Sequence, residues 1–277
     1  MTAGRAAPAP AAPQPQRSRA TRRPALTAGG LGLGVAMLYM SVFVLVPLAA
    51  VVAKSVSSGL GTLWDSIDNT LAIRAIVITM TASLIVAAIG AIMGTLVAWV
   101  LVRDQFRGKR VINALIDLPF ALPTIVAGLT LIALYGPGSP VGIHLAYTRA
   151  AVIVALLFVT LPFVVRSVQP VLLELDQEVE EAAASLGASN LTTFRRVILP
   201  VLKPAIFSGA ALAFARSIGE FGSLALIAGK VQIASIVIYA DIESGSEQSA
   251  AALSVVLMLV ALIVLLILRW IGARVGH

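Results

Sequence analysis

Arg216 and Glu220 stand four residues apart inside the apolar run 204–228. On one helix that spacing places both side chains on the same face, where they can pair. A paired charge in apolar surroundings either locks packing or lies beside a path for ions. A second constellation, Glu181–Pro200 (EAAASLGASNLTTFRRVILP), is a polar island between two very apolar runs. Bond-making chemistry has little to work with elsewhere. His144 and His277 are the only histidines, and neither stands near a nucleophile motif, so no Ser-His-Asp set is supported. With no cysteine, disulfides, thiol chemistry and thiolate metal sites are excluded. No phosphate-binding loop is present: Gly229-Lys230 superficially resembles its end, but Leu224 stands where its first glycine belongs.

The elements that position these residues follow from composition. The chain has 277 residues, 59% hydrophobic and 12% charged, with a mean hydropathy of +0.98. Soluble domains carry about 25% charged residues, so half that fraction with this hydropathy marks a membrane protein. No polar stretch is long enough to bury a core of its own. Residues 1–27 hold five prolines and five arginines and no apolar face, which predicts a disordered basic tail. The following run, Leu26 to Ala53, is too long for a signal-peptide core of 7–15 residues and is expected to be a retained span.

Six runs satisfy the requirement of about 20 apolar residues for a helix that crosses a bilayer. They lie near 30–53, 72–102, 112–135, 150–168, 204–228 and 249–270. Their all-round hydrophobicity predicts helices, because an open sheet leaves backbone groups unpaired in lipid. With the N-terminus inside, the tail, the even-to-odd connections and the C-terminus hold fifteen Lys and Arg, against three (Lys54, Arg149, Lys230) in the other loops. Such asymmetry predicts both termini in the cytoplasm and accounts for the net charge of +7 without nucleic acid. Arg74 is expected to snorkel at the start of the second run. The outer loops are too short to fold as a solute-capturing domain.

The inner segment from Gln169 to Lys203 is amphipathic. Val179, Ala182, Ala183 and Leu186 share one helix face, and Gly187 is placed to terminate that helix. A second short helix is expected after Ser189 or Asn190, with Leu191, Phe194, Val197 and Ile198 on one face, and Pro200 and Pro204 punctuating the entry to the fifth run. If that run enters at Pro204, Arg216 lies about 18 Å along it, near mid-bilayer. Pro119 and Pro123 are expected to kink the third run. Gly90, Gly94 and Thr95 offer a small-residue helix contact, as do Gly219 and Gly222 beside the ion pair.

The spacing Glu181-Ala182-Ala183, Gly187, Val197, Leu199-Pro200 resembles the EAA loop of bacterial ABC-importer permeases, with Val197 where that family has isoleucine. Further similarity is to the sulfate and molybdate branch: Leu118–Thr124, Leu161–Pro170 and, most specifically, Ala215-Arg216-Ser217-Ile218-Gly219-Glu220-Phe221-Gly222. The resemblance implies an all-α polytopic fold of six transmembrane helices, the type I (MetI-like) permease fold, in a bacterial plasma (inner) membrane. Its permease domain would span 28–277, with a cytoplasmic coupling loop at about 170–203.

In that family the loop seats in a cytoplasmic ATPase subunit, so Glu181, Ala182, Ala183, Gly187, Val197, Leu199 and Pro200 would couple ATP hydrolysis to movement of the spans. Arg216 and Glu220, with Pro119 and Pro123, would line the translocation pathway; the alternative for the ion pair is that it only locks packing. The implied partners are two ABC ATPase subunits, which bind the ATP and Mg, a second related permease chain and an extracytoplasmic binding protein. The chain itself would bind no cofactor and be no enzyme. The implied cargo is sulfate, with thiosulfate beside it. A molybdate or tungstate permease, an ion-coupled secondary transporter and a non-transporting scaffold are the alternatives.

Overall fold

The computed structural model describes residues 28–57 and 59–275. The expected basic tail, 1–27, and His277 lie outside these residues. Among the described residues every regular element is helical. The chain divides into two units, 1–48 and 49–277.

The described part of the first unit is α1 (Ala28–Met40), a π turn at Ser41–Leu45 and the start of α2 (Val46–Ser55). Its apolar side chains are exposed, Phe43 at 64%. An all-round apolar surface without charge is what a helix bathed in lipid presents. The π turn has a local cause. Pro47 has no N–H, and its ring would strike the carbonyl four residues back. In the widened turn the N–H of Val46 instead reaches Ser41 O, five residues back.

The second unit continues with α3 (Leu60–Ile67), α4 (Thr70–Arg103), α5 (Lys109–Ala121), α6 (Thr124–Tyr135) and α7 (Arg149–Glu174). Then come α8 (Gln177–Ser185), α9 (Asn190–Thr193), a π turn at Phe194–Ile198 and α10 (Leu199–Ile218). It ends with α11 (Gly222–Ile227), α12 (Ala234–Glu243) and α13 (Glu247–Val275). Gly32–Ser55, Thr70–Arg103, Arg149–Glu174, Asn190–Ile218 and Glu247–Gly272 are each long and apolar enough to cross a membrane. The third expected span is broken: α5 and α6 meet at 117°. The break falls at Leu122-Pro123, whereas Pro119 sits inside α5 without ending it.

Three long helices pack through missing side chains. A Cβ on Gly94 of α4 would lie 2.7 Å from Val164 Cβ on α7, and one on Gly209 of α10 would lie 2.8 Å from Val164 Cα. Val164 is thus wedged between two glycines, and close backbone approach of this kind is how helices associate where water gives no driving force. Buried Ala98, Val165, Leu172, Ile198 and Leu202 extend that contact, and Phe214, Ile218, Val237 and Leu253 bring α12 and α13 onto α4 and α10. Lys54 Nζ lies 2.8 Å from Glu247 Oε2, pinning the end of α2 to the start of α13.

The fifth span departs from expectation at both ends. It begins fourteen residues before Pro204, at Asn190, and stops at Ile218. Pro200 and Pro204 do not punctuate it, because a second π turn precedes Pro200 as the first precedes Pro47, with the N–H of Leu199 reaching Phe194 O. The fourth span likewise runs through Pro170 to Glu174, so the connection expected from Gln169 to Lys203 is shorter than the sequence implied.

Candidate functional site

The Glu181–Pro200 segment is built by three local signals. Asp176 caps α8, its Oδ1 accepting from the N–H of Glu178 at 3.0 Å. Gly187 ends α8 at φ +83. The N–H of Gly187 reaches Ala184 O and that of Ala188 reaches Ala183 O, at 2.9 and 3.1 Å. This pair of bonds is a Schellman motif, and the left-handed conformation it needs favours glycine. Ser189 then caps the next helix, its Oγ accepting from the N–H of Thr192 at 3.3 Å.

Two contacts from the end of α4 hold this segment. Arg103 Nη2 lies 2.5 Å from Glu180 Oε1 and also donates to Leu175 O at 3.2 Å. Trp99, one turn earlier, meets Phe194 edge to face with ring centroids 5.5 Å apart. Phe194 and Val197 pack on a core that includes buried Ile198. The other face has no partner among the described residues. Leu186 is 89% exposed and Leu191 65%, with Val179 at 45%. Glu181 and Ala182 are exposed beside them, Ala183 and Leu199 are half-buried, and Pro200 is exposed. The apolar face expected from the spacing therefore exists, but it covers nothing among the described residues.

Arg216 and Glu220 pair, Nη1 to Oε2 at 2.7 Å, though not along one helix. Arg216 is in the last turn of α10, which ends at Ile218, and Glu220 lies in the break before α11. Glu220 is buried, 1% exposed, and its Oε1 accepts from both the N–H and the Oγ of Ser223 at 2.9 Å. It thus caps α11 while holding Arg216, whose side chain is 33% exposed. Ser235 of α12 donates to Glu220 O, and Tyr239 stacks on Phe221, so α12 fixes the break from outside.

The two broken spans meet at their breaks. Gly222, the first residue of α11, lies against Thr124, the first of α6, with no room for a Cβ. Gly128 of α6 would bring a Cβ within 2.7 Å of Ser223 O. Pro123 and Glu220, 97 positions apart in the sequence, therefore sit at neighbouring discontinuities, while Pro119 lies inside α5. Gly219 has open space around it and makes no such approach.

A polar knot that the sequence reading missed ties α5 to α7. Arg166 donates through Nε to Asp117 Oδ1 at 2.7 Å and through Nη1 to Asn113 Oδ1 at 3.0 Å. It also reaches Asn113 O, Gln169 Oε1 and Asp117 Oδ2. The spacing 113/117 on one helix and 166/169 on another was the available signal, since each pair shares a face. Glu180 was likewise no part of the spacing that singled out the segment.

Residues 90–277 match the family model described as binding-protein-dependent transport system inner membrane component. The chain is 44% identical over 246 residues to the sulfate transport system permease protein CysT of Synechocystis sp., covering 85% of this chain and 86% of that one. It is 39% identical over 258 residues to the protein of the same name from Salmonella typhimurium, covering 89% and 93%. In fold it is similar to a bacterial ABC transporter involved in the import of the acidic polysaccharide alginate, with a TM-score of 0.74 at 17% identity over 89% of this chain and 95% of that chain. It is also similar to the MetNI methionine ABC transporter, with a TM-score of 0.57 at 22% identity over 74% of this chain and 94% of that chain. With two thirds of its length inside one family model, and relatives alike over most of it, the chain belongs to the binding-protein-dependent transport system inner membrane components.

Proposed function

We propose that this chain is the membrane-spanning subunit of an ATP-driven importer that carries sulfate, with thiosulfate as a second cargo, across a bacterial inner membrane into the cytoplasm. The excess of Lys and Arg in the even-to-odd connections supports placing both termini and the Glu181–Pro200 segment in the cytoplasm. The cargo reading is supported by relatives 37–44% identical that carry the name sulfate transport system permease protein.

The observation that carries the coupling reading is an apolar surface, Leu186 and Leu191, left open on helices that Arg103 and Trp99 tie to a membrane span. Exposed apolar patches of this kind mark protein contacts. An ATPase subunit seated there displaces α8, and α4 and α10 follow, because the Arg103–Glu180 bond and the continuous helix Asn190–Ile218 transmit the movement. Glu181, Ala182, Ala183 and Gly187 form the seat; Val197, Leu199 and Pro200 lead it into α10. ATP and Mg belong to the ATPase subunits, two in number, and the complex is completed by a second related permease chain and an extracytoplasmic binding protein.

Arg216 supplies positive potential to the anion path. Glu220, committed to Ser223 and α11, sets the guanidinium in place, and the Pro123 break opens the third span beside it. The test of cargo is radiolabelled sulfate uptake by a strain lacking the chain and complemented with it. Restored uptake, competed by excess sulfate and thiosulfate but not by excess molybdate, is the expected outcome. Competition by molybdate at equal concentration would make the chain a molybdate permease.

A further inference from the structure

Three cations surround one open cavity of about 700 Å³: Arg74 near the start of α4, Arg149 at the first residue of α7, and Lys230 just past α11. Each is exposed, none forms an ion pair among the described residues, and no carboxylate lines the cavity. Their convergence is built into the backbone. Tyr147 holds φ +68, its N–H reaching Ile227 O at 2.9 Å. Gly229, at φ +59, packs on the Tyr147 ring so closely that a Cβ would lie 2.8 Å from Tyr147 Cβ. This contact brings the loop carrying Lys230 beside the one carrying Arg149. Positive φ in a tyrosine costs free energy and persists where surrounding structure enforces it.

The cavity does not stop at the charges. A second hollow of about 150 Å³ shares Ile78, Thr81, Arg149 and Val231 with it and continues between α4 and α7 past Ala82, Ile85 and Ile153. From Arg74 to Ile85 is about 16 Å of helix at 1.5 Å per residue. That is half of the roughly 30 Å hydrocarbon core, the depth of one leaflet. A cationic rim at the end of two spans, above an apolar groove one leaflet deep, is complementary to a phosphate-bearing headgroup with its acyl chain.

We infer that Arg74, Arg149 and Lys230, with the α4–α7 groove below them, form a binding site for an anionic phospholipid. The headgroup phosphate accepts from the two guanidiniums and the ammonium, and an acyl chain lies along Ile78, Ala82, Ile85 and Ile153. Basic pockets between membrane helices hold anionic headgroups by the same electrostatics, and Arg matches phosphate geometry through paired N–H donors. A free oxyanion would use the three cations but not the groove, which separates the two sources.

The test is native mass spectrometry of the full chain in detergent, titrated with phosphatidylglycerol, phosphatidylcholine or inorganic sulfate, on three proteins. These are the wild type, the triple variant Arg74→Gln/Arg149→Gln/Lys230→Gln, and Ile85→Trp, which narrows the groove and keeps every cation. The wild type should retain phosphatidylglycerol about tenfold more tightly than phosphatidylcholine, and both the triple variant and Ile85→Trp should lose that preference. Equal retention of the two lipids by the wild type overturns the proposal. So does phosphatidylglycerol binding by Ile85→Trp at the wild-type level, and so does sulfate binding that depends on the three cations while phosphatidylglycerol binding does not. If the triple variant fails to fold, Lys230→Gln, on an exposed loop, replaces it with an expected loss of about threefold.

Discussion

Glu180 Oε1 lies 2.5 Å from Arg103 Nη2, with the two side chains 24% and 12% exposed, so α8 is bound to the last turn of α4 by a partly buried ion pair. A hydrogen bond to a charged partner contributes about 1.5–3 kcal/mol, and each 1.4 kcal/mol is tenfold in an equilibrium. Glu180→Gln should therefore reduce ATP-driven sulfate uptake by roughly tenfold while the complex assembles and its ATPase subunits still turn over. Uptake and ATP hydrolysis measured on the same reconstituted complex check this. Equal loss of both activities would mean that the pair serves assembly and not transmission.

Glu220 and Arg216 should separate by their burial. Removing one partner of a buried pair costs about 3–5 kcal/mol, and the lower end applies because Arg216 is a third exposed. Glu220→Gln leaves that cation without its counter-charge and weakens the cap on α11, so thermal unfolding in detergent should shift clearly downward. Arg216→Gln leaves the buried Glu220 carboxylate with only its two bonds from Ser223, so it too should lower the unfolding temperature, and it should abolish uptake while assembly and basal ATPase activity persist. If Arg216→Gln fails to assemble, the pair is a packing lock and the pathway role is lost.

Val164 gives the packing prediction. Gly94→Leu and Gly209→Val drive side chains into it from two helices, and overpacking of this kind costs about 1–3 kcal/mol. Both should be destabilising, because the obstructing atoms, Val164 Cβ at 2.7 Å and Val164 Cα at 2.8 Å, are fixed by the backbone and cannot rotate away. Gly219→Ala, with nothing within 4 Å of a new Cβ, should stay within roughly 0.5 kcal/mol of the parent. Thermal unfolding of the three variants ranks them.

How far these features were readable in the sequence depended on their range. The spans follow from all-round hydrophobicity, and the end of α8 at Gly187 follows from a glycine that a left-handed turn requires. Both are local. The stop at Ile218 was not visible, because glycine is common inside membrane helices and Gly219, at φ −86, does not take the left-handed turn of Gly187; the break is held by Ser223 and by Ser235 of α12, the second of which only folding brings near. Pro200 misled in the opposite direction, since a π turn absorbs its missing N–H and lets the helix run on. The Arg166–Asp117 knot joins residues 49 apart, and neither side chain signals the other. The Arg216–Glu220 pair, four residues apart, was thus readable as a pair, while partners distant in the sequence were not.

Sidedness can be read directly, because the chain has no cysteine to mask a new one. Ala184→Cys, exposed on α8, should react with a membrane-impermeant maleimide only in inverted vesicles, and Gly138→Cys, in the loop after α6, only in intact cells. Loss of Ala184→Cys labelling when the ATPase subunits are present would place them on α8, and labelling from the opposite side would reverse the topology.

On the proposed function, this chain moves its cargo with energy borrowed through α8 and α9. The most direct measurement is sulfate accumulation in proteoliposomes holding the full complex and its binding protein, driven either by internal ATP or by an imposed proton gradient. Accumulation with ATP, none with the gradient alone, and a loss of about tenfold for Leu186→Glu, which places a charge at the open apolar surface, are the expected results. Accumulation driven by the gradient without ATP would contradict the proposed function.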